Sequence, residues 1–138
     1  MSDPSVALQK ALFDAITDTG GPGSLVAGRV YDAVPRSDEP GHPRIVFGQF
    51  QVLDDFAGCV DGAEVNIDLH VWSVAVGSIE AKTICAALVD ALNDVDLDLS
   101  PSHRLIEIVH SSTRVFTDPD GITTHGVVSF RALTEAAV

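Results

Sequence analysis

Apolar and polar residues alternate strictly from Val65 to Val71, with Val65, Ile67, Leu69 and Val71 on one parity and Asn66, Asp68 and His70 on the other. That pattern predicts a strand with one face on a core and the other towards water or a partner. Beyond Trp72-Ser73-Val74-Ala75-Val76-Gly77 the period changes. Ile79, Ala81, Ile84, Cys85, Leu88 and Leu92 recur at spacings of three and four, which puts them on one side of a helix. Ser78 is placed to cap that helix, and the Glu80 carboxylate sits in its first turn, where it complements the helix dipole. An earlier helix is predicted from about Pro4 to Asp18, with Asp3 as N-cap and Pro4 in the first helical position. Its buried stripe is Leu8, Leu12, Ala15 and Ile16, and Thr19-Gly20-Gly21-Pro22-Gly23 stops it.

The segment Leu25 to Val34 follows, with a brief strand at Arg29-Val30-Tyr31-Asp32, and then a proline-rich surface loop from Pro35 to Pro43. A strand starts at Ile45 and continues through Phe50 and Val52, and Gly48 within it marks a bulge or a close backbone approach. The connection Asp54 to Gly62 places Phe56 and Val60 between acids, which points to a partner surface as well as a solvent tip. After an acidic connection from Asn93 to Ser102, a final hairpin runs from about Arg104 to Phe116 and from about Thr123 to Leu133. Thr117-Asp118-Pro119-Asp120-Gly121 supplies its turn chemistry. The order predicts an α+β fold: a single mixed, largely antiparallel sheet with two amphipathic helices packed on one face. The strands at Val71 and Arg104 are expected to run parallel, because a helix connects them.

The chain of 138 residues is long enough for one domain, residues 1–138, with a single core. No apolar run approaches the roughly 20 residues that cross a bilayer, and Met1-Ser2-Asp3-Pro4 lacks the basic start of a signal peptide. Cys59 and Cys85 have no zinc-type spacing. These features predict a protein made and kept in the cytoplasm with both thiols reduced. The formal net charge of -12, from 20 acidic and 8 basic residues, opposes binding to phosphates and so excludes sequence-specific nucleic-acid binding.

Candidate chemistry fails at each place it begins to form. Lys82-Thr83 follows a strand and a turn as in a phosphate-binding loop, but Val76 and Ala81 stand where that loop needs glycine. Asp94, Asp96 and Asp98 alternate like the opening of a calcium loop, yet Leu99 replaces the glycine and Leu105 the bidentate acid. No two of His42, His70, His103, His110 and His125 have a helical metal spacing, and a turn near Pro119 would set His110 opposite His125 as a cross-strand pair. Ser73 and Ser129 lack nucleophile-elbow context, and Cys85 reads as a small core residue. No catalytic group, metal or cofactor is therefore expected.

The run His70-Val71-Trp72-Ser73, then Gly77, then Glu80-Ala81 resembles the tail terminator, or tail completion, family of long-tailed phages and of phage-derived gene transfer agents. Ala7-Leu8-Gln9-Lys10-Ala11-Leu12, Arg29-Val30-Tyr31-Asp32 with Val34-Pro35, and Gly126-Val127-Val128-Ser129-Phe130-Arg131-Ala132 resemble the family in the same order. The resemblance implies a structural protein that forms a hexameric ring on the end of the tail tube, stops tube growth and offers a surface to the head connector. It implies as partners further copies of the chain, the tube protein and the connector, with DNA only passing through the channel. It also implies assembly in the host cytoplasm and a final place at the head–tail junction. A connector stopper or tube subunit is the nearest alternative. A small-ligand domain or enzyme with His70 and Asp68 lining a pocket is a more distant one.

Trp72 has two readings. By parity it shares the polar side of its strand with Asn66, Asp68 and His70, where an aromatic ring is either covered by a loop or the sheet's twist, or is an interface anchor. Trp72, His70, Asp68, Phe56 and Val60 are accordingly the candidate subunit or partner interface.

Overall fold

The computed structural model describes residues 3–37, 41–55 and 61–137. Its elements are α1 (Ser5–Thr17), a 3₁₀ turn (Pro22–Val26), β1 (Val30–Tyr31), β2 (Arg44–Asp55), β3 (Gly62–Ser73), α2 (Ile79–Leu92), β4 (His103–Thr117) and β5 (Thr124–Ala136). They form a five-stranded mixed sheet in the order β1-β2-β3-β5-β4. β1 is parallel to β2, and the remaining pairs are antiparallel. β3 and β4 therefore run in the same direction, as expected from the helix between them, but β5 lies between them and pairs with both.

Both helices pack on one face of the sheet. Leu8, Leu12 and Ile16 of α1 and Ala81, Ile84, Cys85, Leu88 and Leu92 of α2 are buried in one cluster with Val65, Ile67, Leu69 and Val71 of β3. β5 adds Val128, Phe130 and Ala132, and β4 adds Ile108. Full burial of each such leucine, isoleucine or phenylalanine stabilises the fold by roughly 1.5–3 kcal/mol.

The helix starts differ from the sequence expectation. α1 begins at Ser5, with Pro4 at the cap position, and Asp3 accepts the Ser5 N–H at 2.8 Å. Ser78 makes no side-chain cap to α2. Instead the buried Ser73 at the end of β3 donates its hydroxyl to Glu80 at 2.7 Å, tying the strand end to the first helical turn. Ile79, expected in the buried stripe, is 75% exposed because it precedes the first turn that reaches the sheet.

β2 and β3 each extend beyond their apolar runs, to Asp55 and back to Gly62, because ladder hydrogen bonds continue where the burial pattern fades. The register of β2 shifts between Phe47 and Phe50, which is the irregularity Gly48 marks. The loop before β2 contains a cis bond at His42-Pro43, and Arg29 holds it by donating to the carbonyls of Pro43 and His42, each at 2.8 Å.

One tight contact tests the packing of α2 on β5. Gly126 lies against the Cys85 sulfur, and a Cβ there would overlap it. Gly126→Ala is expected to cost about 1–3 kcal/mol, as overpacking does, and Cys85→Ala in the same chain to recover most of that loss. Urea unfolding of the two single variants and the double variant measures the coupling; strictly additive values would show that the sulfur is not what limits the site.

Candidate functional site

With both helices on one side, the other face of the sheet carries Glu64, Asn66, Asp68, His70 and Trp72 from β3, and the register sets these beside Leu133, Arg131, Ser129, Val127 and His125 of β5. Period two explains this set: each is one residue out of phase with the core side. The polar pairs along it are satisfied across strands. Asp68 accepts the Ser129 hydroxyl at 2.6 Å, Glu64 accepts from Arg131 at 3.3 Å, and Asn66 donates to Gln51 and to Glu64, each at 3.3 Å.

Towards the Trp72 end the face becomes a stack of rings. Trp72 and His125 lie with centroids 3.8 Å apart and planes 14° from parallel. His70 stacks on His125 at 4.9 Å, and Phe116 of β4 closes on the same ring from the other side at 4.9 Å and 58°. His70 Nδ1 is 2.6 Å from His125 Nε2, a hydrogen bond in which one ring donates and the other accepts. The second nitrogen of His125 faces Asp118 at 3.6 Å. The His70 ring also rests directly on Gly48, where any Cβ would collide with it. Gly48 thus serves both expected purposes, the bulge and the close approach.

Burial pushes both histidines below the ordinary value of 6.5; for His70 the Asp68 carboxylate opposes this and Arg114 reinforces it. For His125 the neighbouring His70 adds to the depression and Asp118 resists it. At neutral pH the pair is uncharged, which suits a hydrogen bond between two rings. Cys85 cannot serve as a nucleophile here, since burial raises its thiol to about 11.

Three of the five candidate interface residues, Trp72, His70 and Asp68, therefore come together on the open face; Phe56 and Val60 lie outside the described residues. Trp72 is only half-buried, and its indole N–H is enclosed with no hydrogen-bond partner among the described residues. The expected facing of His110 and His125 is corrected: His110 pairs with Phe130, and His125 with Phe116. The turn lies further along the chain than Pro119: Thr117 pairs with Thr124, and Asp120 accepts from the N–H groups of Ile122 and Thr123 and from the Thr123 hydroxyl. His125, Phe116 and Arg114 were not identified from sequence as part of this face. Their parity was visible, but the register that brings them to His70 was not.

The rival of a pocket beside His70 finds no support. Ring stacking fills that space, and the Asp68 carboxylate is engaged by Ser129. A groove of about 440 Å³ lies elsewhere, along the outer side of α1 by Phe13 and Phe47. Among the described residues no three His, Cys, Asp or Glu side chains converge to hold a metal.

The structure is thus a helix-backed α+β fold whose open sheet face is lined at one end by stacked rings. A family model described as tail completion protein gp17 matches residues 10–135, and the chain belongs to that family. It is accordingly a structural protein of the phage-tail class and not an enzyme. It is similar to a chain in the virion of a native gene transfer agent particle, with a TM-score of 0.86 and 28% identity over 98% of this chain and 99% of the other. It shares its fold with gp17 of bacteriophage SPP1, at a TM-score of 0.59 and 24% identity over 93% and 88% of the two chains. A search of curated proteins gave no match.

Because both histidine values are lowered in the fold, the folded state binds fewer protons than the unfolded chain as pH falls below 6.5. Their stabilising contribution is complete above that pH and is lost as pH drops through the folded values. Melting temperature is expected to fall as pH drops below about 6.5, and less steeply in the double variant His70→Phe/His125→Phe, which keeps stacked rings without titrating nitrogens. Equal slopes in a melting series would remove the pair as the cause.

Proposed function

We propose that this protein, acting as a single domain over residues 1–138, forms a hexameric ring on the last layer of a tail tube, stops the tube from growing and offers its far side to the head connector. The observation that carries this reading is the near-complete correspondence with a chain of the gene transfer agent virion. Family membership supports the tail role, and the unlike edges of the sheet support a ring. One edge is β4 and the other is the two-residue β1 with the outer part of β2, so neighbouring copies would meet through different surfaces, as a closed ring requires.

The open face is the proposed contact surface, with Trp72 as anchor and His70 and Asp68 beside it. A half-buried tryptophan leaves part of its ring for an interface to cover. The net charge of -12 suits a channel that DNA must traverse without adhering. Assembly would take place in the host cytoplasm, and the finished ring would stand at the head–tail junction.

Deleting the gene from its particle-producing genome tests the function directly. Electron microscopy should show overlong tubes and DNA-filled heads without tails; normal, joined particles would remove the tail role. Trp72→Ala should weaken ring assembly at least tenfold, read by analytical ultracentrifugation, while the monomer retains most of its melting temperature. A large loss of stability with assembly intact would make the indole a packing element.

A further inference from the structure

Each outer edge of the sheet is covered along one part and open along another. β4 is the last strand on its side, but its first part is capped by the segment that leaves α2: Asp94 donates its N–H to the Ile108 carbonyl at 2.8 Å, and the Asn93 side chain accepts the His110 N–H at 2.9 Å. From Ser111 to Thr117 no described strand pairs with the outer side of β4, and every residue there except Val115 is exposed. On the far side, β1 covers β2 only at Ile45 and Val46, and from Phe47 to Asp55 no described strand pairs with its outer side. Unpaired edge backbone is a template for a further strand.

The two open stretches match each other. Ser111–Thr117 and Gly48–Asp54 are equal in length, and β2 and β4 run in opposite directions, so a copy set alongside in the same orientation meets the first antiparallel. With Thr113 opposite Val52 and Val115 opposite Phe50, the apolar side chains of both stretches stay on the helix side, and Ser112 falls opposite Leu53 on the open face. The charges are unlike as well. Asp54 and Asp55 are the only charged residues from Phe47 to Asp55, and Arg114 is the only one from Ser111 to Thr117. Two β2 edges would bring acids together and two β4 edges would bring arginines together, so charge favours the unlike pair.

We propose that copies of this chain join edge to edge, with Ser111–Thr117 of β4 on one copy adding antiparallel to Gly48–Asp54 of β2 on the next. The assignment rests on the ring reading above and names the surfaces that would close it. It also gives the groove beside α1 an occupant. Beyond Thr117 the incoming chain turns at the level of Phe47, where Val6 and Phe13 leave the groove of about 440 Å³ open, and Ile122 in that turn is 69% exposed. Phe116 belongs both to the β4 edge and to the ring stack, so the open faces of neighbouring copies run on from one to the next.

Cysteine crosslinking tests the pairing, with Leu53→Cys and Ser112→Cys introduced singly and together into the full-length protein carrying Cys59→Ser. Facing positions on antiparallel strands lie within disulfide reach. Mild oxidation of the double variant, in solution and in particles produced from the variant genome, should give a ladder of covalent oligomers larger than dimers, while each single variant stays monomeric. Ile122→Asp added to the double variant should cut the oligomer yield at least fivefold with an unchanged melting curve; an equal yield would overturn the seating of the turn beside Phe47. Dimers from either single variant would show like edges meeting and overturn the pairing, as would a crosslink to a different protein. No ladder from either source, with the protein present in the particles, would overturn it while the tail role stands. Particles without the protein would instead remove the tail reading and leave the edge pairing to be decided by the ladder in solution.

Discussion

Burial of one side of β3 under the two helices is the constraint on which the rest of the molecule depends. Ala63, Val65, Ile67, Leu69, Val71 and Ser73 all point to the helix side and are buried. A strand has only two faces, so every residue between them must emerge on the other side. β3 is hydrogen-bonded along its length to β2 and β5, and its phase is passed to both neighbours. A shift of one residue would bring Asp68 and His70 into the apolar cluster, a cost large enough to fix the register.

The open face inherits its chemistry from that phase. It has polar pairs along most of its length and rings at one end, with the histidines neutral because they are partly desolvated. Neutral rings stack on Trp72 without bringing charge into a contact surface, and Gly48 gives His70 room to lie flat on the neighbouring strand. The same strands leave exposed apolar side chains, among them Val76 and Ile122, where β3 turns into α2 and β4 turns into β5.

The alternation through Val65–Val71, the three-and-four spacing in α1 and α2 and the turn residues of the last hairpin are local signals, set by how each residue behaves in water or apolar surroundings. They were sufficient for the element order, the buried stripes and the parity that puts Trp72 with Asp68 and His70. Motif spacing was likewise local enough to show that Lys82-Thr83 and Asp94 to Asp98 fail to match a phosphate-binding or a calcium loop. The order of motifs along the chain also carried the family resemblance.

Pairing was not local. His125 meets His70 and not His110 because Thr117 pairs with Thr124 across the hairpin turn and β5 enters between β3 and β4. Each is a contest among ladder hydrogen bonds of nearly equal energy, decided by the packing of α2 against β5 and β3 together. The parallel pairing of β1, the Ser73–Glu80 contact that stands in for a Ser78 cap and the exposure of Ile79 have the same origin. The sequence by itself determined which face each side chain takes; only the tertiary structure decided which side chains meet there, because a neighbour across a sheet is set by register and not by position in the chain.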